Sequence, residues 1–244
     1  MLNKISRLFR AEKEYVAYQH LHLPNFRTNQ ALSDNEAYIQ SGVEQVHYLT
    51  DHNLLDAHTR LLDFGCGQGR LLNALMYNQQ SFAHYTGIDT SKKSIEWDIT
   101  HLSYKPAISF IHLPAYNARY NTHAAGLATL PFGSSSFDLI FLNSVFSHML
   151  AEDVSFYLKE FYRVMDPQAH IYLTAFIEEN VPDVVENPQG YLEKSTGALH
   201  RVRYEKSFFF NLVHQAGLKV VQFDHQGITR TRQSIIVAKR NNKA

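Results

Sequence analysis

The chain has 244 residues, 45% of them hydrophobic and 19% charged, with Lys plus Arg and Asp plus Glu balanced at 23 each. That length suits one large α/β domain, and that composition excludes disorder. The zero formal charge gives no basic excess for nucleic acid, the single cysteine, Cys66, excludes a disulfide framework or a cysteine zinc cluster, and no apolar run approaches the roughly 20 residues that span a bilayer. Met1 to Arg10 mixes charged with apolar residues and does not read as a secretory signal, so a cytoplasmic location is expected. The fourteen histidines are scattered. His20 and His22 would share a strand face, but no carboxylate or cysteine lies at ligand spacing, so they are read as structural and no metal is expected.

The first sixty residues read as helices, a cap over residues 1–58. Within it, Asp34 to Asn53 places Ala37, Ile39, Val43, Val46 and Leu49 at helical intervals, with Ser33 or Asp34 as N-cap. Strands and helices then alternate: strand Arg60–Phe64, helix Leu71–Tyr77, strand Tyr85–Asp89, helix Ser91–Ser103, strand Ala107–Leu113 and strand Phe137–Leu142. Helix Asp153–Met165, strand His170–Ile177 and helix Ser207–Ala216 follow. Strands Leu218–Phe223 and Ser234–Ala238 end the pattern. Such alternation predicts an α/β, Rossmann-like three-layer sandwich, with a mostly parallel sheet between helices, in residues 59–244. About ten residues separate the last two strands, too few for a parallel crossover, so one of them should run backwards.

Asp63-Phe64-Gly65-Cys66-Gly67-Gln68-Gly69-Arg70 joins a strand to a helix. Glycines let the backbone turn sharply and approach a ligand, and the helix start offers free N–H groups. Arg70 stands where the dinucleotide fingerprint GxGxxG needs its third glycine. Exposed loop N–H groups suit a carboxylate, and an acid beside them suits an ammonium; S-adenosylmethionine (SAM) carries both. Asp89, twenty residues after Gly69, ends the second strand, where a carboxylate accepts ribose hydroxyls or caps the next helix. Cys66 lacks a paired base and reads as a small loop residue.

These pieces together resemble the class I SAM-dependent methyltransferases. The likeness rests on Leu62 to Arg70, Asp89, Leu130-Pro131-Phe132 with Phe137-Asp138-Leu139-Ile140, and Arg163-Val164-Met165-x-Pro167. It spans roughly residues 40 to 240. Ser144 to Leu150 and Tyr116 to Asn121 look like a bacterial subgroup whose acceptors are commonly unassigned. The resemblance implies a seven-stranded sheet with a reversed final strand and SAM as cofactor. Two stretches depart from the family pattern: Pro167 is followed by Gln168-Ala169-His170 instead of glycines, and His112-Leu113-Pro114-Ala115 lacks the acid that often meets adenine. Backbone near Leu113 to Tyr116 is therefore expected to hold the adenine.

The expected cofactor-binding set is Asp63, Gly65, Cys66, Gly67, Gly69, Arg70, Asp89, Thr90 and Asn143. His148 follows the fourth strand at the same sheet edge, and its ordinary pKa of about 6.5 suits a general base; the alternative is a packing or capping role. The segment Glu178 to Tyr204 is long and polar, as acceptor-binding lids are. Tyr15, Tyr18, Arg27, Tyr191, His200, Arg201 and Arg203 are candidates to line an acceptor pocket. The expected activity is methyl transfer from SAM to a small-molecule or glycan acceptor, with oxygen as the methylated atom. The alternatives are a non-catalytic SAM-binding protein and a nicotinamide-dependent oxidoreductase. Nothing in the sequence specifies an oligomeric state.

Overall fold

A computed structural model describes residues 15–27, 34–103, 105–192, 194–228 and 230–241. The Met1 to Arg10 stretch and Ser33, read above as no secretory signal and as a possible N-cap, lie outside these residues.

The described N-terminal part is not all helical. Strands β1 (Tyr15–Tyr18) and β2 (Leu21–Pro24) form an antiparallel hairpin. Its buried Leu21 and Leu23 alternate with an exposed His22, a two-residue period that a helical reading of the segment overlooks. His22 stacks on Tyr15 at 4.0 Å between ring centroids, and His20 in the turn donates from Nε2 to Met76 O at 3.3 Å. Helix α1 (Asn35–Asp51) follows, capped by Asp34, which accepts from the Ala37 N–H.

The core elements are β3 (Arg60–Phe64), α2 (Arg70–Tyr77), β4 (His84–Asp89), α3 (Lys92–Leu102), β5 (Ile108–His112) and β6 (Phe137–Leu142). The chain continues through α4 (Ala151–Val164), β7 (Met165–Glu178), β8 (Val184–Glu186), β9 (Val202–Glu205), α5 (Lys206–Gln215), β10 (Leu218–Ile228) and β11 (Gln233–Arg240). The main path across the sheet is β10-β11-β7-β6-β3-β4-β5. β5, β4, β3, β6 and β7 are parallel neighbours, and β11 runs antiparallel to both β7 and β10. The fold is thus the mostly parallel, Rossmann-like sandwich with the expected reversal of its final strand.

Side chains on the central strands alternate between two cores, as the pleat requires. Leu62, Ile140, Leu142, Ile171 and Leu173 pack towards α4 and α5. Leu61, Leu139, Phe141 and Tyr172 pack towards α1, α2 and α3. Burial on both faces explains why these strands read as continuous apolar runs, and each fully buried Leu contributes roughly 1.5–3 kcal/mol.

Two features of the sheet go beyond the sequence reading. β7 starts at Met165, directly after α4, with a register shift between Phe137 and Leu139 that sets Asp166 to Ala169 opposite Asp138. The 178–204 segment is partly ordered as sheet: β9 adds in parallel to the far end of β7, and β8 pairs antiparallel to β9. No helix among the described residues is long and apolar enough to cross a membrane.

Candidate active site

The parallel strands deliver their carboxyl ends to one edge, where ligands bind in open α/β sheets. There the glycine loop turns three times through positive φ, at Gly65 (81°), Gly67 (59°) and Gly69 (68°). Two of these positions also leave no room for a side chain. A Cβ on Gly65 would lie 2.5 Å from Val145 Cγ2, and one on Gly69 would lie 2.2 Å from Leu102 Cδ1. Gly65 therefore lets the loop pass under the β6 edge, and Gly69 seats the start of α2 against α3.

Beside the loop lies a cavity of about 290 Å³. It is lined by Gly65, Cys66, Gly67, Arg70, Asp89, Thr90, Asn143 and His148, which puts most of the expected site residues on one surface. Asp63 and Gly69 are not on that surface. Asp63 is buried behind the loop and accepts a 2.6 Å hydrogen bond from Tyr85 Oη. Burial pushes its carboxyl up to about 7, with the Tyr85 hydrogen bond and nearby Arg70 pulling the other way. This placement leaves Asp63 to support the loop from behind, out of reach of a ligand's ammonium.

Asp89 fastens the loop to the next helix. One carboxylate oxygen accepts from Gly67 N at 2.9 Å and the other from Ser91 N at 2.7 Å. The cap of α3 is Ser91, which accepts from Ser94 N. Burial raises the Asp89 pKa, while the Ser91 and Gly67 N–H groups hold it down. Each oxygen keeps a second lone pair. Thr90 Oγ1 donates to Ala115 O at 3.2 Å, and Leu113 N donates to Asp89 O at 2.9 Å, so the strand-end acid and the Leu113–Ala115 backbone form one wall. Cys66 is buried and its thiol is pushed up well above the ordinary range by burial, so it stays protonated and inert.

His148 lies in a short 3₁₀ turn, Phe146–His148, between β6 and α4. Its Nδ1 is 2.9 Å from Leu199 O. A carbonyl only accepts, so Nδ1 carries the proton and Nε2 keeps its lone pair. Burial pushes the ring down to about 4, and it is neutral at neutral pH. Asn117 Nδ2 donates to His148 O at 3.0 Å, while Asn117 Oδ1 accepts from Arg119 N and Tyr120 N, tying the loop after β5 to this turn. The Tyr120 ring meets the His148 ring edge-on at 5.5 Å.

Helix α1 supplies the wall that the sequence reading missed. Tyr38, Ser41 and Gln45 are buried and line the cavity. Tyr38 Oη donates to Gln68 O at 2.9 Å, Ser41 Oγ accepts from Arg70 at 3.2 Å, and Gln45 Nε2 donates to Asn143 Oδ1 at 2.8 Å. The available signal was a helical stripe, 38-41-45, that is buried yet polar. Gln45 Oε1 and Gln68 Nε2 are buried with no hydrogen-bond partner among the described residues, one an acceptor and one a donor in the cavity wall. Unpaired buried groups of this kind are costly unless a ligand completes them.

Of the acceptor-pocket candidates, only Arg27 lines the cavity. Tyr15 and Tyr18 are in the hairpin, and Tyr18 bonds Glu36. Tyr191 donates to Glu178 at 2.7 Å, Arg203 lies over the Tyr191 ring at 5.2 Å, His200 accepts from Thr196 N at 2.8 Å, and Arg201 N donates to Asn187 at 3.0 Å. The 178–204 segment holds itself together and reaches the site chiefly through Leu199 O, on His148.

Residues 62–173 match the model of a family described as methyltransferase domain. The fold is shared with 1,6-didemethyltoxoflavin-N1-methyltransferase from Burkholderia thailandensis, solved with 1,6-didemethyltoxoflavin and S-adenosylhomocysteine, at 15% identity and TM-score 0.58, covering 85% of this chain and 80% of that one. Magnesium protoporphyrin IX methyltransferase from Synechocystis PCC 6803, solved with SAM, aligns at 17% identity and TM-score 0.56 over 88% of this chain and 86% of that one. A SAM-dependent methyltransferase from Mesorhizobium loti aligns at 13% identity and TM-score 0.56 over 83% and 100%. Just under half of the chain thus matches a methyltransferase domain, and the whole shares the fold of enzymes solved with SAM or S-adenosylhomocysteine.

Proposed function

We propose that the protein transfers the methyl group of SAM to an oxygen of a small-molecule or glycan acceptor. The observation that carries this reading is a single cavity with the glycine loop and Asp89 on one wall and the unprotonated Nε2 of His148 on another. SAM, when bound, supplies an electrophilic methyl on a sulfonium.

The residues present fit that group. The second lone pairs of Asp89 are available to ribose hydroxyls, and the Leu113–Ala115 backbone stands beside them for an adenine. Gln68 Nε2 and Arg70 suit a carboxylate, and Gln45 Oε1 suits an ammonium. In-line displacement asks the protein mainly for alignment and exclusion of water. A hydroxyl acceptor must also lose a proton during attack, and His148 Nε2 accepts it. The low pKa keeps the ring in its basic form at neutral pH, and the Leu199 carbonyl stabilises the imidazolium as it forms.

The test is incubation of the protein with methyl-labelled SAM and a panel of hydroxylated sugars, phenols and amines. Label transferred to a hydroxyl, with turnover lost in His148→Asn, is the expected outcome. Transfer to nitrogen, or to oxygen with His148→Asn fully active, would overturn the O-methylation assignment.

A further inference from the structure

The turn that carries His148 is met by a loop of the 178–204 segment, and the contact is a single backbone carbonyl. Leu199 O accepts from His148 Nδ1 at 2.9 Å, and the backbone of the next residue, His200, also acts on the ring. Where the imidazole proton sits therefore depends on how residues 199 and 200 are aimed. Leu199 has a φ of 47°, left-handed backbone that a leucine adopts only where its surroundings enforce it. Its side chain is buried in the core that holds Phe146 and Val202, and its N–H donates to Glu186 Oε1 at 2.7 Å. Asn187 closes the clamp. Its Nδ2 donates to Gly197 O at 3.0 Å, its Oδ1 accepts from Arg201 N at 3.0 Å, and its own N–H donates to Arg201 O at 2.6 Å.

Glu186 is exposed at the end of β8 and is not on the cavity wall. Its reach into the site is through Leu199. The N–H that Glu186 holds and the carbonyl that His148 meets belong to the two rigid peptide planes flanking one Cα. With the N–H fixed at that φ, one torsion remains to aim the carbonyl, and the grip of Asn187 on Arg201 restrains it from the far side. A carboxylate accepting from a backbone N–H makes one of the stronger hydrogen bonds available for this task. We infer that Glu186 is a positioning residue for His148, holding Leu199 so that its carbonyl accepts from Nδ1 and Nε2 stays unprotonated. The inference rests on the reading of His148 as the base. It gives the 178–204 segment a part in methyl transfer through the base, without contact with the acceptor.

The test reads the tautomer itself, by nitrogen–proton correlation NMR of the full-length protein with isotopically labelled histidine, at neutral pH where the ring is uncharged. Signals missing from His148→Asn identify His148. Wild type is expected to carry the proton on Nδ1. Glu186→Ala, at an exposed position, should keep the wild-type circular dichroism spectrum and shift the ratio of the two tautomers at least fivefold towards Nε2–H. Glu186→Gln keeps an acceptor oxygen without the charge and should restore the wild-type ratio. Glu179→Ala removes another acid of the segment, the partner of Lys206, and should leave the ratio alone. An Nε2–H tautomer in wild type, an unchanged ratio in Glu186→Ala, or the alanine ratio in Glu186→Gln overturns the inference. Full turnover in His148→Asn is a separate result: it overturns the base reading and leaves the tautomer ratios as measured.

Discussion

One substitution at Asp89 separates its observed brace between the glycine loop and α3 from the ribose contact proposed for it. In Asp89→Asn, one carboxylate oxygen becomes an NH₂ group facing either Gly67 N, now 2.9 Å away, or Ser91 N, 2.7 Å away. A donor then meets a donor. A hydrogen bond to a charged group contributes about 1.5–3 kcal/mol, partly offset here because the replaced carboxylate was buried and its pKa raised. A net loss of about 1–2 kcal/mol is expected, which lowers Tm by roughly 2–8 °C in a chain of this size. The effect on ligand is larger, because the charge-assisted acceptor for the ribose is lost while the loop is also loosened. A loss of about 2 kcal/mol in binding corresponds to roughly 30-fold in Kd. Calorimetry with S-adenosylhomocysteine and differential scanning fluorimetry read the two effects separately. A lowered Tm with affinity within twofold of wild type would refute the ribose role and reduce Asp89 to a brace between the loop and α3.

His148→Asn keeps an amide donor near the position of Nδ1 for Leu199 O but has no base at Nε2. It should lower kcat by about 10²–10⁴-fold with S-adenosylhomocysteine affinity unchanged, and wild-type kcat/KM should hold its value well below pH 6.5 because the ring pKa lies at about 4. Gln45→Leu should weaken S-adenosylhomocysteine by roughly tenfold, on the order of 1–1.5 kcal/mol for a lost hydrogen bond, measured by the same titration; unchanged affinity would remove Gln45 from the donor site. Gly69→Ala combines a left-handed φ with contact against Leu102 and should destabilise by about 2–4 kcal/mol in urea unfolding. Asp63 has its folded pKa raised from 3.8 to about 7, so the native state binds the extra proton. Its contribution is fully present below pH 4 and is lost as pH rises through 7. Asp63→Asn should remove that slope and be the more stable form at pH 8, by up to about 4 kcal/mol; parallel stability-pH curves for the two proteins would contradict it.

The sandwich was readable because its strands are buried on both faces and its helices carry their own caps and stops, as Ser91 and Gly217 show. The glycine loop was readable for a related reason: three close glycines after an acid have few other uses. What escaped was set by tertiary contacts. The hairpin at 15–24 is too short for its two-residue period to stand out beside α1. Asp63 has the right charge and position in the sequence, but only the packing of Tyr85 shows that it faces away from the cavity. The polar stripe of α1 and the turn bearing Arg230 come to the site from far along the chain, and no local pattern announces such a meeting. The acceptor candidates in 178–204 stand out by chemistry alone, and the partners described for them, Glu178, Tyr191, Asn187 and Thr196, lie within that same segment.

The hydrogen bonds that α1 makes to Gln68 and to Asn143 have a consequence for how such enzymes can be altered. They tie the N-terminal helix to the loops that follow β3 and β6, so this helix and the cavity wall form one mechanical unit. A chimera that exchanges residues 15–51 for the equivalent part of a relative, in order to change the acceptor, would also rewrite part of the donor pocket. It would need Tyr38 and Gln45 carried across with it. The β10–β11 turn lines the same cavity, and the charge of Arg230 on it reaches Arg70, so changes there also touch the glycine-loop wall.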